Sequence, residues 1–237
     1  MVQKKTQNSY KYGLEKGIPI ALGYLSVSFG FGITAVGSGL LPLEAILISM
    51  TNLTSAGQVA GVSIIAGLGT LVEMLLVQLI INIRYCLMGL ALTQKLDDSF
   101  SLFHRMLASF GITDEIFAIA AAQRGLIGRR FMYGLITPPY FGWTLGTVLG
   151  VYASHILPEQ VCSALGIAIY SMFIAIIIPP AKDDKGVLYS VAIASLASCA
   201  FYYLPILSEV SQGFSIIICA FLAAGVMAYV APRGAED

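Results

Sequence analysis

Apolar residues fill this chain in long runs, broken by short turns that hold most of its charge. A helix needs about 20 apolar residues to cross a bilayer, with roughly 17 the practical minimum. Eight stretches reach that length: Ile18–Ser38, Leu43–Ala66, Thr70–Leu92, Phe103–Gln123, Met132–Ser154, Val161–Ile178, Val187–Leu204 and Phe214–Val230. The pattern predicts an all-α, polytopic membrane helix bundle of about eight transmembrane segments, forming a single domain over residues 1–237. In the alternative, seven segments cross and the fourth stretch, with Asp114 and Glu115 at its centre, is re-entrant.

Polar residues interrupt three of these runs: Ser55, Gly57 and Gln58 in the second, Asn82 and Arg84 in the third, Thr113, Asp114 and Glu115 in the fourth. Arg, Asp or Glu at membrane depth costs at least ~2.5 to 3.5 kcal/mol apiece on insertion scales, so such residues mark a pathway or a partner. The second stretch also carries Thr51, Asn52 and Thr54, a poor composition for a lipid-facing helix. It should face protein or a hydrated cavity, with Gly57 easing a local interruption of the helix at mid-membrane.

Helix geometry constrains which of these side chains meet. Glu73 and Arg84 share a face of the third stretch but lie about 16 Å apart along the axis, too far to pair. Asn82 and Arg84 differ by about 200°, so a straight helix cannot aim both into one cavity. Arg84 and Asp114 sit roughly 12 and 16 Å below the same turn, so Arg84 can reach Asp114 or Glu115. The two acids point about 100° apart and can take different partners. Read structurally, this is an ion pair that keeps buried charges compensated. Read functionally, Arg84 receives a carboxylate and Asp114 or Glu115 an ammonium or a proton, which fits a zwitterion.

Composition narrows the class. With 57% hydrophobic residues, 11% charged and a mean hydropathy of +0.84, the chain cannot cover a water-soluble domain with polar surface. Thirteen basic residues balance 13 acidic ones with no basic stripe, so nucleic acid is not an expected partner. Cys86, Cys162, Cys199 and Cys219 stand singly, and His104 and His155 lie near segment ends, so neither a disulfide framework nor a metal or cofactor site is signalled. The first apolar run is a full span without a cleavage site and should be retained. No Walker-type loop, G-x-S-x-G or H-E-x-x-H occurs, which points away from ATP-driven pumping and from an enzyme.

Loop charge sets an orientation. With eight crossings, Lys4, Lys5, Lys11 and Lys16, the Arg124, Arg129 and Arg130 turn, and the Lys182 and Lys185 turn share one face, expected to be cytoplasmic along with both termini. The turn with Lys95 and Arg105 is left on the other face. A re-entrant fourth stretch alone would put the triple-arginine turn outside, unless another segment also fails to cross. A weak repeat is visible: shifting by 116 positions lays Gly30, Ser38, Leu41, Pro42 and Ser55 over Gly146, Ser154, Leu157, Pro158 and Ser171, suggesting parallel halves at 1–123 and 132–237. Gly142, Gly146 and Gly150 recur at a spacing that lets helix backbones approach closely.

Ser55-Ala56-Gly57-Gln58, Asn82-Ile83-Arg84-Tyr85-Cys86-Leu87-Met88-Gly89 and Thr113-Asp114-Glu115-Ile116-Phe117 resemble, in order and spacing, three elements of the AzlC-like (azaleucine-resistance) family of branched-chain amino acid permeases. Gly17-Ile18-Pro19 and Phe29-Gly30-Phe31-Gly32 are also family-like; the second half is similar mainly in hydropathy. The first element departs from the pattern, with Thr54 in place of an aromatic residue and two positions missing before Gln58. The resemblance implies a secondary exporter of branched-chain amino acids or analogues in a bacterial plasma (inner) membrane, with a small hydrophobic AzlD-like membrane subunit as partner. Substrate-binding residues would be Ser55, Gly57, Gln58, Asn82, Arg84, Thr113, Asp114 and Glu115, and proton coupling through Asp114 or Glu115 is a separate expectation. The alternative is a non-transporting membrane subunit whose polar residues serve assembly with a partner permease.

Overall fold

In lipid a backbone finds hydrogen-bond partners only within its own turns or in a closed barrel, and long apolar runs without strict alternation favour helix. The computed structural model describes residues 8–230. Lys4, Lys5 and the two chain termini lie outside the described residues. The described chain is all-α, with α1 (Tyr10–Gly37), α2 (Pro42–Thr51), α3 (Ser55–Ala66), α4 (Leu71–Thr93), α5 (Leu102–Phe110), α6 (Asp114–Ala122), α7 (Arg129–Ala153), α8 (Glu159–Gly166), α9 (Ala168–Asp183), α10 (Lys185–Tyr203) and α11 (Gln212–Val230). Among the described residues, four helices, α1, α4, α10 and α11, are long and apolar enough to cross a membrane.

Three of the expected crossings are interrupted, the sixth at Ile167 alone and the second and fourth by longer breaks near their middles. The second is split into α2 and α3 by Asn52, Leu53 and Thr54, and the fourth into α5 and α6 by Gly111, Ile112 and Thr113. Local chemistry fixes both longer breaks. Asn52 turns its Oδ1 back to the Thr54 amide at 3.2 Å, and Thr54 Oγ1 then caps the Gly57 amide at 3.3 Å. Thr113 likewise caps the Ile116 amide at 3.4 Å. Gly57, where unwinding was expected, is helical; the interruption falls just before it because Thr54 supplies the cap.

Contacts divide the chain into two units, Met1–Val59 with Ile81–Ile169, and Ala60–Ile80 with Tyr170–Asp237. The first is organised by α1 and α7. A Cβ on Gly134 would lie 2.2 Å from the Tyr10 carbonyl oxygen, one on Gly142 2.6 Å from that of Ala21, and one on Gly150 2.0 Å from that of Phe29. Only glycine permits this approach, and the paired positions rise together, so the two helices run parallel with backbones in contact. α2 enters alongside α7 in the opposite sense: Ser49 meets Thr147 at 2.7 Å and the Met50 carbonyl accepts from Tyr140 at 3.2 Å.

The fourth stretch folds back on itself. The Asp97 amide donates to the Ile127 carbonyl at 3.0 Å and the Ile127 amide to the Lys95 carbonyl at 2.7 Å, joining the turn before α5 to the turn after α6. Lys95 Nζ donates to the Gln123 carbonyl at 2.8 Å and to that of Ala121, covering the C-terminal end of α6. His104 of α5 bridges Arg129 and Tyr133 of α7, each at 2.7 Å, donating from Nδ1 to the tyrosine and accepting at Nε2 from the guanidinium. Nine-residue helices are about 13 Å long and cannot cross a ~30 Å hydrocarbon core alone. α5 and α6 therefore fold back as a helical hairpin whose two ends lie together. Asn8, just before α1, binds Leu126 and Gly128, each at 3.0 Å, so the α1 start lies at the same end.

This corrects one expectation: Lys95 and Arg105 share an end with Arg124 and Arg129 rather than opposing them. In the second unit α10 packs on α11, and Gly61 packs on Met74 and Gln78 across the α3–α4 turn.

The hairpin gives a direct expectation. Single cysteines replacing Asp98 and Arg124, in a protein cleared of its own cysteines, are modified by an impermeant maleimide from the same face of oriented vesicles; a through-crossing fourth segment would label them from opposite faces.

Candidate functional site

The two helix breaks place capped half-helix starts within the apolar bundle, where backbone amides and short side chains become available to a guest. In α6 the acids follow the cap directly, so Asp114 and Glu115 diverge as expected and meet different partners. Arg84 Nη1 lies 2.9 Å from Asp114 Oδ2 and 3.1 Å from Oδ1. Both side chains are partly exposed while in contact, at 40% and 30%. Arg84 Nη2 donates to the Tyr85 hydroxyl at 3.4 Å, with the guanidinium 5.0 Å from the centre of that ring.

Glu115 turns the other way. Its Oε2 accepts from the Tyr24 hydroxyl at 2.5 Å, and the Thr113 hydroxyl lies 2.7 Å from the same phenol. A phenol has one proton, so with that proton donated in a hydrogen bond to the carboxylate, the threonine hydroxyl is the donor of the second contact. Thr113 thus caps α6 with a lone pair and donates to Tyr24. The Tyr24 ring packs edge-on to Trp143 at 5.3 Å.

Trp143 closes the network on the α2–α3 side. Its Nε1 donates to Gln58 Oε1 at 3.1 Å, Ser49 donates to the same oxygen at 3.4 Å, and Gln58 Nε2 donates to the Asn52 carbonyl. Gln58 is 1% exposed, so its amide serves to lock the broken segment. Of the other expected site residues, Thr113 is buried in the cap, Gly57 is buried in the first turn of α3, and Ser55 opens that helix half-buried. α4 runs unbroken through Asn82 and Arg84, so these two side chains leave it in different directions.

Besides Ser49, Asn52 and Thr54, the network includes three aromatic residues outside the expected set: Tyr24, Tyr85 and Trp143. Trp143 is the chain's single tryptophan and is 1% exposed, and a buried indole N–H needs an acceptor. Tyr24 sits mid-way along a glycine-rich helix with the same requirement. Both signals are present in the sequence, but neither names a partner. Among the described residues, no group of three His, Cys, Asp or Glu side chains is placed to hold a metal ion.

Comparison with known proteins bears on these helices. The family model described as AzlC protein matches residues 19–157, which span every element of this network. An uncharacterized membrane protein of Archaeoglobus fulgidus is 31% identical over 175 residues, covering 73% of this chain and 76% of its own length. Inner membrane protein YgaZ of Escherichia coli K12 is 26% identical over 237 residues, covering 97% of this chain and 94% of its own length. No solved structure matches the chain.

Removing one donor from a buried network leaves its acceptor unsatisfied, at a cost of about 1–3 kcal/mol. Trp143→Phe and Tyr24→Phe should each lower the thermal midpoint of the detergent-solubilised protein; unchanged midpoints in both would remove these contacts from the account of stability.

Proposed function

The chain belongs to the AzlC family, and from that membership together with the Arg84–Asp114 pair we propose that it is a secondary transporter exporting branched-chain amino acids or their analogues. The observation that carries this reading is the pair's accessibility. A pair that only compensated buried charge would gain nothing from exposure, whereas Arg84 and Asp114 remain 40% and 30% exposed while in contact. A zwitterion brings one charge of each sign, so it exchanges for the pair without changing the net charge held in the membrane. Its carboxylate takes the two-pronged seat on Arg84, and its ammonium takes Asp114. Ser55, Gly57, Asn82 and the Thr113 cap contribute the surrounding polar wall, and Gln58 acts by holding it in shape.

Glu115 stays with Tyr24 and is free for a second task, the uptake of a proton that couples flux to the pH gradient. The protein works in a bacterial inner membrane, with the end bearing Lys11, Lys95, Arg105, Arg124 and Arg129 in the cytoplasm by the positive-inside rule. Both termini are then cytoplasmic. A small hydrophobic AzlD-like subunit assembles with it through the lipid-facing helices.

Efflux of labelled leucine, valine, isoleucine and methionine from cells with and without the protein, and with and without that subunit, tests the reading. Expression should speed efflux, Arg84→Gln should abolish the gain, and Arg84→Lys should reduce it about tenfold, as expected where a planar fork is replaced by a point charge. Collapsing the pH gradient should slow what remains. Equal efflux with and without the protein, or full activity in Arg84→Gln, would contradict it.

A further inference from the structure

The second unit holds a cavity of about 580 Å³ at the turn between α10 and α11, whose wall includes Phe201, Tyr202, Ser208, Glu209, Ser211 and Ser215. Ser198 and Gln212 also line it, and its acceptor character follows from where three of its serine protons go. Ser208 donates to the Pro205 carbonyl at 2.9 Å, Ser215 to the Ser211 carbonyl at 3.0 Å, and Ser211 to Glu73 Oε1 at 2.7 Å. A hydroxyl has one proton and two lone pairs, so these three serines have only lone pairs left for a guest. The Glu209 carboxylate also offers acceptors.

The start of α11 would ordinarily favour an anion here, because free amides at a helix N-terminus attract negative charge. That role is already filled by the protein. Glu73, 3% exposed, accepts the Gly213 amide at 2.7 Å on the same oxygen that receives Ser211. A second anion would meet Glu73 and Glu209 together. A cation that donates several hydrogen bonds meets lone pairs and a carboxylate, with the Phe201 and Tyr202 rings as further attraction.

We propose that this cavity is a binding site for a primary ammonium group. It differs in kind from the Arg84–Asp114 cluster, since its wall includes no guanidinium or lysine to hold a carboxylate, and it stands whether or not the transport reading does. Its guest is an alkylamine, or an amino compound recognised by its amine alone.

The test uses the full chain in nanodiscs with its four cysteines replaced by alanine and a reporter cysteine at Val210, another wall position. Isoamylamine, which has an ammonium and no carboxylate, should slow maleimide modification of that cysteine at least fivefold. Glu209→Gln should raise the half-protecting concentration about tenfold, and 4-methylpentanoate, the carboxylate counterpart, should give no protection. A reporter at Gln212 repeats the measurement should the Val210 replacement disturb the turn. No protection by isoamylamine at either reporter, equal protection by 4-methylpentanoate, or protection indifferent to Glu209→Gln would each overturn the proposal.

Discussion

The contact between Arg84 and Asp114 is the constraint on which the rest of the first unit depends. Each charge would cost several kcal/mol alone at membrane depth, and each tolerates its position because the other stands 2.9 Å away. Holding them there takes two elements: the unbroken α4, which carries Arg84, and the start of α6, which carries Asp114. The break before α6 is therefore as necessary as the charges. A continuous fourth helix would leave Asp114 on an ordinary helical face, without a cap or the amides of a helix start beside it.

Packing elsewhere makes that geometry rigid. α1 and α7 are in backbone contact through Gly134, Gly142 and Gly150, and this pair presents Tyr24 and Trp143 at one level. From there Tyr24 reaches Glu115 and Thr113, while Trp143 reaches Gln58. The two breaks are thus steadied by one aromatic pair. The base of the helical hairpin is fastened by Lys95, Asp97 and Ile127 and by the His104 bridge to α7.

Much of this could be read in the residues alone, and the physical reason differs from case to case. The apolar runs and the Arg84–Asp114 meeting were legible because hydropathy and the helical rise are local rules. The divergence of Asp114 and Glu115 follows from the same rise. The polar crowding from Thr51 to Gln58 signalled a broken helix, though its position depended on which residue capped the next one. The fourth stretch was ambiguous because two nine-residue helices folded back have the same composition as one crossing; pairing of Lys95 and Asp97 with Ile127 shows that its two ends lie together. Gln58 could not be told from a ligand-binding amide until Trp143, 85 residues away in sequence, was seen to occupy it. Membership of the AzlC family adds a class of protein and leaves these contacts to be explained by their own chemistry.

The central claim is that Arg84 and Asp114 each hold one end of the same guest. Trp143, the single tryptophan, packs on Tyr24 and reports on the network by its emission. The most direct measurement titrates the purified protein with leucine, 4-methylpentanoate and isoamylamine while following that emission in wild type, Arg84→Gln and Asp114→Asn. Leucine binding should fail in both variants, 4-methylpentanoate binding only in Arg84→Gln, and isoamylamine binding only in Asp114→Asn. Leucine binding that persists undiminished in both variants would contradict the account.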